Sequence, residues 1–312
     1  MVHHGGEDRI MSQNVLHTDQ GLARANGIEI AYDTYGDPGA APLLLIMGLG
    51  GQLINWDEAF CVQLVARGYR VIRFDNRDMG LSTKFNEAGV PDIERLNLAL
   101  ERGETIKTPY TLRDMAGDAL GVLDALKIES AHVLGSSMGG RIAHMMAIYY
   151  PHRVRTLTSI MSTMGEPGFP PPNPAALSIL LEPAPTDREG YIDYSVLSSR
   201  VTGGTGFSIN EARVRERTGQ AFDRSFNPDG VTRQYAALMT AGSSKHELTS
   251  LKVPTLIIHG SDDPLIPVEV AVDMANTIPG ATLLIIEGMG HSVMEIPQIW
   301  PQILDAFTRH AA

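Results

Sequence analysis

One cysteine in 312 residues excludes an intrachain disulfide. Cys61 lies in the helical pattern AFCVQLV, where packing is the ordinary role of a small thiol, and no glycine turn surrounds it as it would a nucleophile. Long apolar runs are also missing. None approaches the length that crosses a bilayer, and the opening MVHHGGEDRIMSQN lacks the apolar stretch of a secretory signal. A cytoplasmic protein with no membrane partner is the expectation. Basic charge is scarce: 25 Lys and Arg stand against 36 Asp and Glu, a net charge of −11, which argues against nucleic acid and anionic membrane surfaces as partners. Metal-ligand spacing is absent as well; the paired His3 and His4 fall in what reads as a flexible tail over residues 1–20.

What is present is the composition of a globular protein with a full core, 43% hydrophobic and 20% charged. Asn26-Gly27 is a two-residue hairpin signal, followed by alternation at Ile28, Ile30 and Tyr32. Beyond it, apolar runs alternate with helical patterns. PLLLIM, YRVIRFD, AHVLGS, VRTLTSIMS, PTLIIHG and ATLLIIEG read as buried strands. TLRDMAGDALGVLDAL reads as a helix capped by Thr111, with Asp114 in its first turn. This rhythm predicts a mostly parallel central sheet with helices on both faces. It breaks between Met164 and Ser244, where GEPGFPPPNP opens a stretch of short helical patterns without a strand. The expected organisation is core over 21–163, a helical cap insertion over 164–244, and core again over 245–312.

The chemistry centres on HVLGSSMGGRIAH. Gly135-Ser136-Ser137-Met138-Gly139 fits G-x-S-x-G at a strand-to-helix reversal. The glycines relieve crowding between strand and helix, and Ser137 falls at the tip. A serine hydroxyl needs a base, and the base an orienting carboxylate. In this arrangement the order along the chain is Ser, acid, His. Two acids follow the strand PTLIIHG. Asp263 is favoured because it stands clear of the strand end, with Asp262 as a turn or capping residue. His291 follows the strand ATLLIIEG in a glycine-containing loop, GMGH. An oxyanion would need two N–H donors, expected from Met138 and from Leu49 in the loop MGLGG. Met47, Gly48, Met161, Met164 and Met289 are candidates to line the substrate pocket, since methionines adapt to irregular apolar ligands; core packing is the competing role.

The motifs MGLGG, RFDNRDMGLS, GSSMGG, GSDDPLIP and GMGH resemble the α/β-hydrolase superfamily, and within it the esterase branch that includes aclacinomycin methylesterase. The resemblance spans about Gly21 to the C-terminus. Like that branch, the chain has Met47 where many relatives carry histidine. The resemblance implies Ser137 as nucleophile, Asp263 as acid and His291 as base, with neither metal nor organic cofactor. Asp78, Gly80 and Ser82 match a loop read as scaffold. The implied activity is hydrolysis of carboxylic esters as small-molecule substrates, and the methionines near the site loops add an expected preference for apolar, uncharged ones. A cofactor-free perhydrolase or a carbon–carbon bond hydrolase would use the same residues. A hydrolase-like small-molecule receptor would keep the pocket without turnover.

Overall fold

The computed structural model of the chain describes residues 17–312. Its strands are β1 (His17–Ala25), β2 (Ile28–Tyr35), β3 (Ala41–Ile46), β4 (Tyr69–Phe74), β5 (Ala131–Ser136), β6 (Val154–Ile160), β7 (Thr255–Gly260) and β8 (Thr282–Ile286). Its helices are α1 (Glu58–Val65), α2 (Ile93–Glu101), α3 (Leu112–Ala125), α4 (Met138–Tyr149), α5 (Pro174–Leu181), α6 (Arg188–Thr202), α7 (Glu211–Arg224), α8 (Pro228–Met239), α9 (Lys245–Leu248), α10 (Val268–Thr277) and α11 (Trp300–Ala311). The strands form one sheet in the order β1-β2-β4-β3-β5-β6-β7-β8. Only the β1–β2 and β2–β4 pairs are antiparallel; the other five are parallel.

Local chemistry explains the elements. Asn26 and Gly27 both take positive φ, 51° and 82°, and join β1 to β2 as the hairpin signal requires. The Thr111 hydroxyl accepts from the Asp114 amide while the Asp114 carboxylate accepts from the Thr111 amide, a reciprocal cap that starts α3. Asp57 accepts the Ala59 amide and starts α1. The strand side chains alternate between two cores. Leu44, Ile46, Val133 and Ile257 face α3, α4 and α10, where Met115, Ile142 and Met274 are fully buried. Leu43, Leu45, Leu134 and Ile258 face α1 and α11, where Phe60, Leu64, Ile303 and Phe307 are fully buried. Both sheet faces are covered, which is why central strands such as β3, APLLLI, run apolar rather than in alternation.

The tail expected over 1–20, with His3 and His4, lies for residues 1–16 outside the described residues. Its end needs correcting: residues 17–20 are already strand, since β1 starts at His17. Between β6 and β7 the described chain is helical, α5 to α9, with no strand. The two stalks of this insertion meet where the Ser244 amide donates to the Met164 carbonyl at 2.9 Å. Arginines tie it to the core: Arg213 to Asp57, Arg217 to Glu295 at 2.5 Å, Arg224 to Asp75 at 2.7 Å and Arg233 to Asp78 at 2.8 Å.

Candidate active site

The reversal from β5 into α4 is built on close backbone approach. Ser137 sits at φ 54°, ψ −120°, a region that side chains rarely occupy. A Cβ on Gly135 would overlap the Gly139 carbonyl, and one on Gly139 would overlap the carbonyl of Ile46 at the end of β3. On Gly140 it would press on the Ser162 side chain. The glycines therefore let α4 start directly against the ends of β3 and β5. The turn is pinned from β6: the Ser137 amide donates to the Ile160 carbonyl at 2.9 Å, and the Ser162 hydroxyl donates to the Ser137 carbonyl at 2.8 Å. Ser137 keeps some exposure, whereas Ser136 is buried.

Two later strand ends bring the partners. The His291 Nε2 lies 2.9 Å from the Ser137 Oγ, and the His291 Nδ1 lies 2.7 Å from the Asp263 Oδ2. The other carboxylate oxygen, Oδ1, accepts the Leu265 and Ile266 amides at 2.9 Å each. Asp263 is buried, which by itself would push its carboxyl upward. The charge and hydrogen bond of His291, the nearby His259 and the Ile266 amide outweigh that, and hold it below the ordinary carboxylate range. An ionised Asp263 accepts, so His291 carries its proton on Nδ1 and offers an unprotonated Nε2 to the serine hydroxyl. The loop around His291 is packed backbone on backbone. The His291 amide donates to the Thr202 carbonyl at 2.6 Å and the Gly290 amide to the Gly203 carbonyl at 3.0 Å. A Cβ on Gly290 would overlap Thr202, and one on Gly260 would overlap the Met289 carbonyl.

The loop after β3 closes the site on the other side. A Cβ on Gly48 would come within 3.2 Å of the Ser137 Cβ, so this glycine lets the loop lie against the serine. The Met47 carbonyl accepts from Asn76 Nδ2 at 2.9 Å. The Leu49 and Met138 amides have no acceptor within the protein among the described residues. Met138 is the first residue of α4, whose aligned peptide dipoles also favour negative charge at that end.

The remaining candidates separate cleanly. Asp262 takes the hydroxyls of Thr205 and Ser261 and is hydrogen-bonded away from His291. His259 directs Nε2 to the Ile266 carbonyl at 2.8 Å and stands 3.5 Å from Asp263, which supports the carboxylate turn. His144 is buried on α4 with Nε2 3.1 Å from the Ser159 hydroxyl. Met164 and Met289 expose no surface, and Met161 only 8%. All three belong to the two cores, so packing corrects the expectation that they line a pocket. Met47 is partly exposed and lies along its own loop against Gly51. Asp78 accepts from Arg233, Tyr110 and the Phe85 amide, and Ser82 donates to the Asp75 carbonyl, both scaffold roles. Two residues that touch the Met47–Gly51 loop carry no sequence signal of their own role: Asn76, within RFDNRDMGLS, and Gln234, in a cap helix. Among the described residues no cluster of three or more His, Cys, Asp or Glu is arranged to hold a metal ion, and no helix is long and apolar enough to cross a membrane.

The sequence profile of the alpha/beta hydrolase fold matches residues 41–296. The rhodomycin D methylesterase of Streptomyces peucetius is 34% identical over 280 residues, 83% of this chain and 87% of that relative. The rhodomycin D methylesterase of Streptomyces sp. (strain C5) is 32% identical over the same shares, 83% and 87%. Among solved structures, a thermophilic esterase from Thermogutta terrifontis shares the fold with a TM-score of 0.69 at 24% identity, covering 94% of this chain and 99% of that one. Profile, relatives and sheet topology agree that the chain belongs to the α/β-hydrolase family, in its esterase branch.

Proposed function

We propose that this chain hydrolyses carboxylic esters through an acyl-enzyme on Ser137, with His291 as base and Asp263 as its orienting carboxylate. The observation that carries the reading is the unbroken relay from Asp263 Oδ2 to His291 to Ser137 Oγ, at 2.7 and 2.9 Å. The Ser137 oxygen attacks the ester carbonyl carbon as its proton passes to His291 Nε2. The carbonyl oxygen becomes an oxyanion, received by the Leu49 and Met138 amides. Collapse breaks the bond to the alcohol, which leaves with the proton from His291. Water then gives a proton to His291 and adds to the acyl carbon, and the acid departs as Ser137 regains its proton. The imidazole works as a base only in its neutral form. Similarity to two proteins named methylesterases supports methyl esters as the substrate class. The helical stretch over 164–244 serves as a cap over the site, joined to it through Thr202, Gly203 and Gln234.

The test pairs turnover with labelling. The wild type is expected to hydrolyse p-nitrophenyl esters and to take a fluorophosphonate adduct on Ser137, located by mass spectrometry. Ser137→Ala is expected to lose activity by at least about 10³-fold while still binding substrate. Along a series differing only in the alcohol, methyl is expected to give the highest kcat/KM. An adduct on another residue, or ligand binding by the wild type without turnover, would overturn the reading; the second result would indicate a receptor.

A further inference from the structure

We infer that Gln234, on the cap helix α8, is a positioning residue for the reaction: it holds the backbone of the loop carrying the Leu49 donor, so that turnover depends on how α8 seats against that loop. This rests on the ester-hydrolysis reading above and extends it to a residue whose hydrogen bonds go to Gly50 and Arg77 rather than to Ser137, His291 or Asp263.

The loop that reaches from β3 past the serine is short and rich in glycine, MGLGG, and has little stiffness of its own. Its shape is set by what grips it. On the core side, Asn76 Nδ2 holds the Met47 carbonyl at 2.9 Å. On the other side the grip comes from the cap. Gln234 Oε1 accepts the Gly50 amide at 3.0 Å, and Gln234 Nε2 donates to the Arg77 carbonyl at 2.8 Å. Gly50 sits at φ 71° and lies against Val231, one turn earlier on α8; a Cβ there would stand 3.2 Å from Val231 Cγ2. The Gly51 amide donates to the Gly48 carbonyl at 3.2 Å, so fixing Gly50 fixes the turn that contains Leu49. One residue further on, Gln52 Nε2 donates to the Ala221 and Ser225 carbonyls of the cap at 2.7 and 2.8 Å.

The choice of side chain fits this task. Gln234 has no exposed surface, and both ends of its amide are used. A neutral amide supplies an acceptor and a donor at once without a buried charge. An apolar side chain of the same size would strand the Gly50 N–H and the Arg77 carbonyl together. Its neighbour Arg233 keeps α8 in register through the buried pair with Asp78, at 2.8 Å. Gln234 is therefore a rigid strut, and the strut ends one peptide away from a proposed oxyanion donor. Loss of such a donor outright typically costs about 10²–10³ in rate. Here the donor stays and loses only its support, so the expected loss is about tenfold.

Gln234→Met tests this against Arg213→Gln, which breaks the cap's ion pair with Asp57 without touching the loop. Three quantities are read: kcat and KM on p-nitrophenyl acetate, the Ki of an alkyl boronic acid that bonds to a nucleophilic serine and mimics the tetrahedral state, and amide hydrogen exchange over residues 47–52. For Gln234→Met, kcat is expected to fall about tenfold with KM within twofold, Ki to rise in the same proportion, and exchange over 47–52 to quicken. Arg213→Gln is expected to lower thermal stability and change none of the three. A kcat within twofold of wild type for Gln234→Met, or a fall in kcat with unchanged Ki, overturns the inference. Unchanged exchange overturns it too, and that measurement needs no turnover, so it stands apart from any failure of the esterase reading. Gln234→Glu keeps the acceptor for the Gly50 amide but sets a buried carboxylate against the Arg77 carbonyl in place of a donor, and it serves if the methionine variant does not fold: a fall in kcat of about tenfold with faster exchange over 47–52 is expected, and a kcat within twofold of wild type or unchanged exchange overturns the inference.

Discussion

Gly139→Ala isolates the contact on which the serine turn depends. Two effects of one methyl group compete. Within α4 an alanine is a better helix former than glycine by at most about 1 kcal/mol, and by less this close to the first turn. Against this, the added Cβ overlaps the Ile46 carbonyl and crowds the Met47 carbonyl, which stands 2.8 Å from it. Both are backbone atoms at the end of a central strand, so no flexible side chain can yield. Overpacking of this kind typically costs about 1–3 kcal/mol, and here it falls at the upper end because backbone must move. The expected net loss is about 2 kcal/mol, a fall in Tm of about 4 °C for a chain of this size. The displacement also separates Met138 from the loop bearing Leu49, so kcat is expected to drop about 10–10²-fold. Gly117→Ala is the matched control. Its Cβ would meet only the side chain of Asn26, at 3.3 Å, and Asn26 is exposed; stability within about 0.5 kcal/mol of wild type is expected. Scanning calorimetry and p-nitrophenyl acetate turnover on the two variants decide it. If Gly139→Ala matches Gly117→Ala in both Tm and kcat, backbone crowding is not what the glycine relieves.

Two further outcomes follow from buried charge. Arg233→Met leaves the Asp78 carboxylate buried without its cation, and a loss of about 3–5 kcal/mol is expected in thermal unfolding; a Tm within 2 °C of wild type, on the order expected for 1 kcal/mol, would refute the role of the pair. Acid should weaken the fold well above the carboxylate range. Burial, aided by the charge of Arg141, holds the His144 imidazole down to about 3, and burial likewise pushes His132 down to about 4. Below an ordinary histidine value of about 6.5 the unfolded chain takes up protons that the folded chain refuses. Stability is therefore full above pH 6.5 and declines toward pH 4, by about 1 kcal/mol per pH unit for His144 alone. Equal Tm at pH 7 and pH 5 would sink this assignment, and His144→Asn should flatten the slope.

Much of the architecture was legible in the sequence because its signals are local. Continuous apolar runs marked β3 to β8, Asn26-Gly27 marked the hairpin, and the glycines around Ser137 marked a turn with no room for side chains. Chain order then brought out Asp263 and His291, since each follows a strand that ends on the same side of a parallel sheet. What the pattern could not supply is pairing across distance. β1 starts at His17 with HTDQGLARA, a strand at the sheet edge with little alternation, so its first four residues, 17–20, read as tail while its end read as the hairpin arm. Gln234 and Arg233 gave no sign, because their partners Gly50, Arg77 and Asp78 are 155 to 184 residues away and nothing in helical periodicity reports them. Met161, Met164 and Met289 lie near site loops in sequence, yet a methionine beside a strand end fills a core as readily as it lines a cleft, and only burial separates the two.

The serine turn is built on β3, β5 and β6, whereas the proposed base, His291, follows β8. During synthesis the ribosome therefore delivers the hydroxyl well before the imidazole proposed to activate it. On the proposed mechanism, a copy cut short after the cap would hold its serine without a base, and competence would arrive late in the making of the polypeptide.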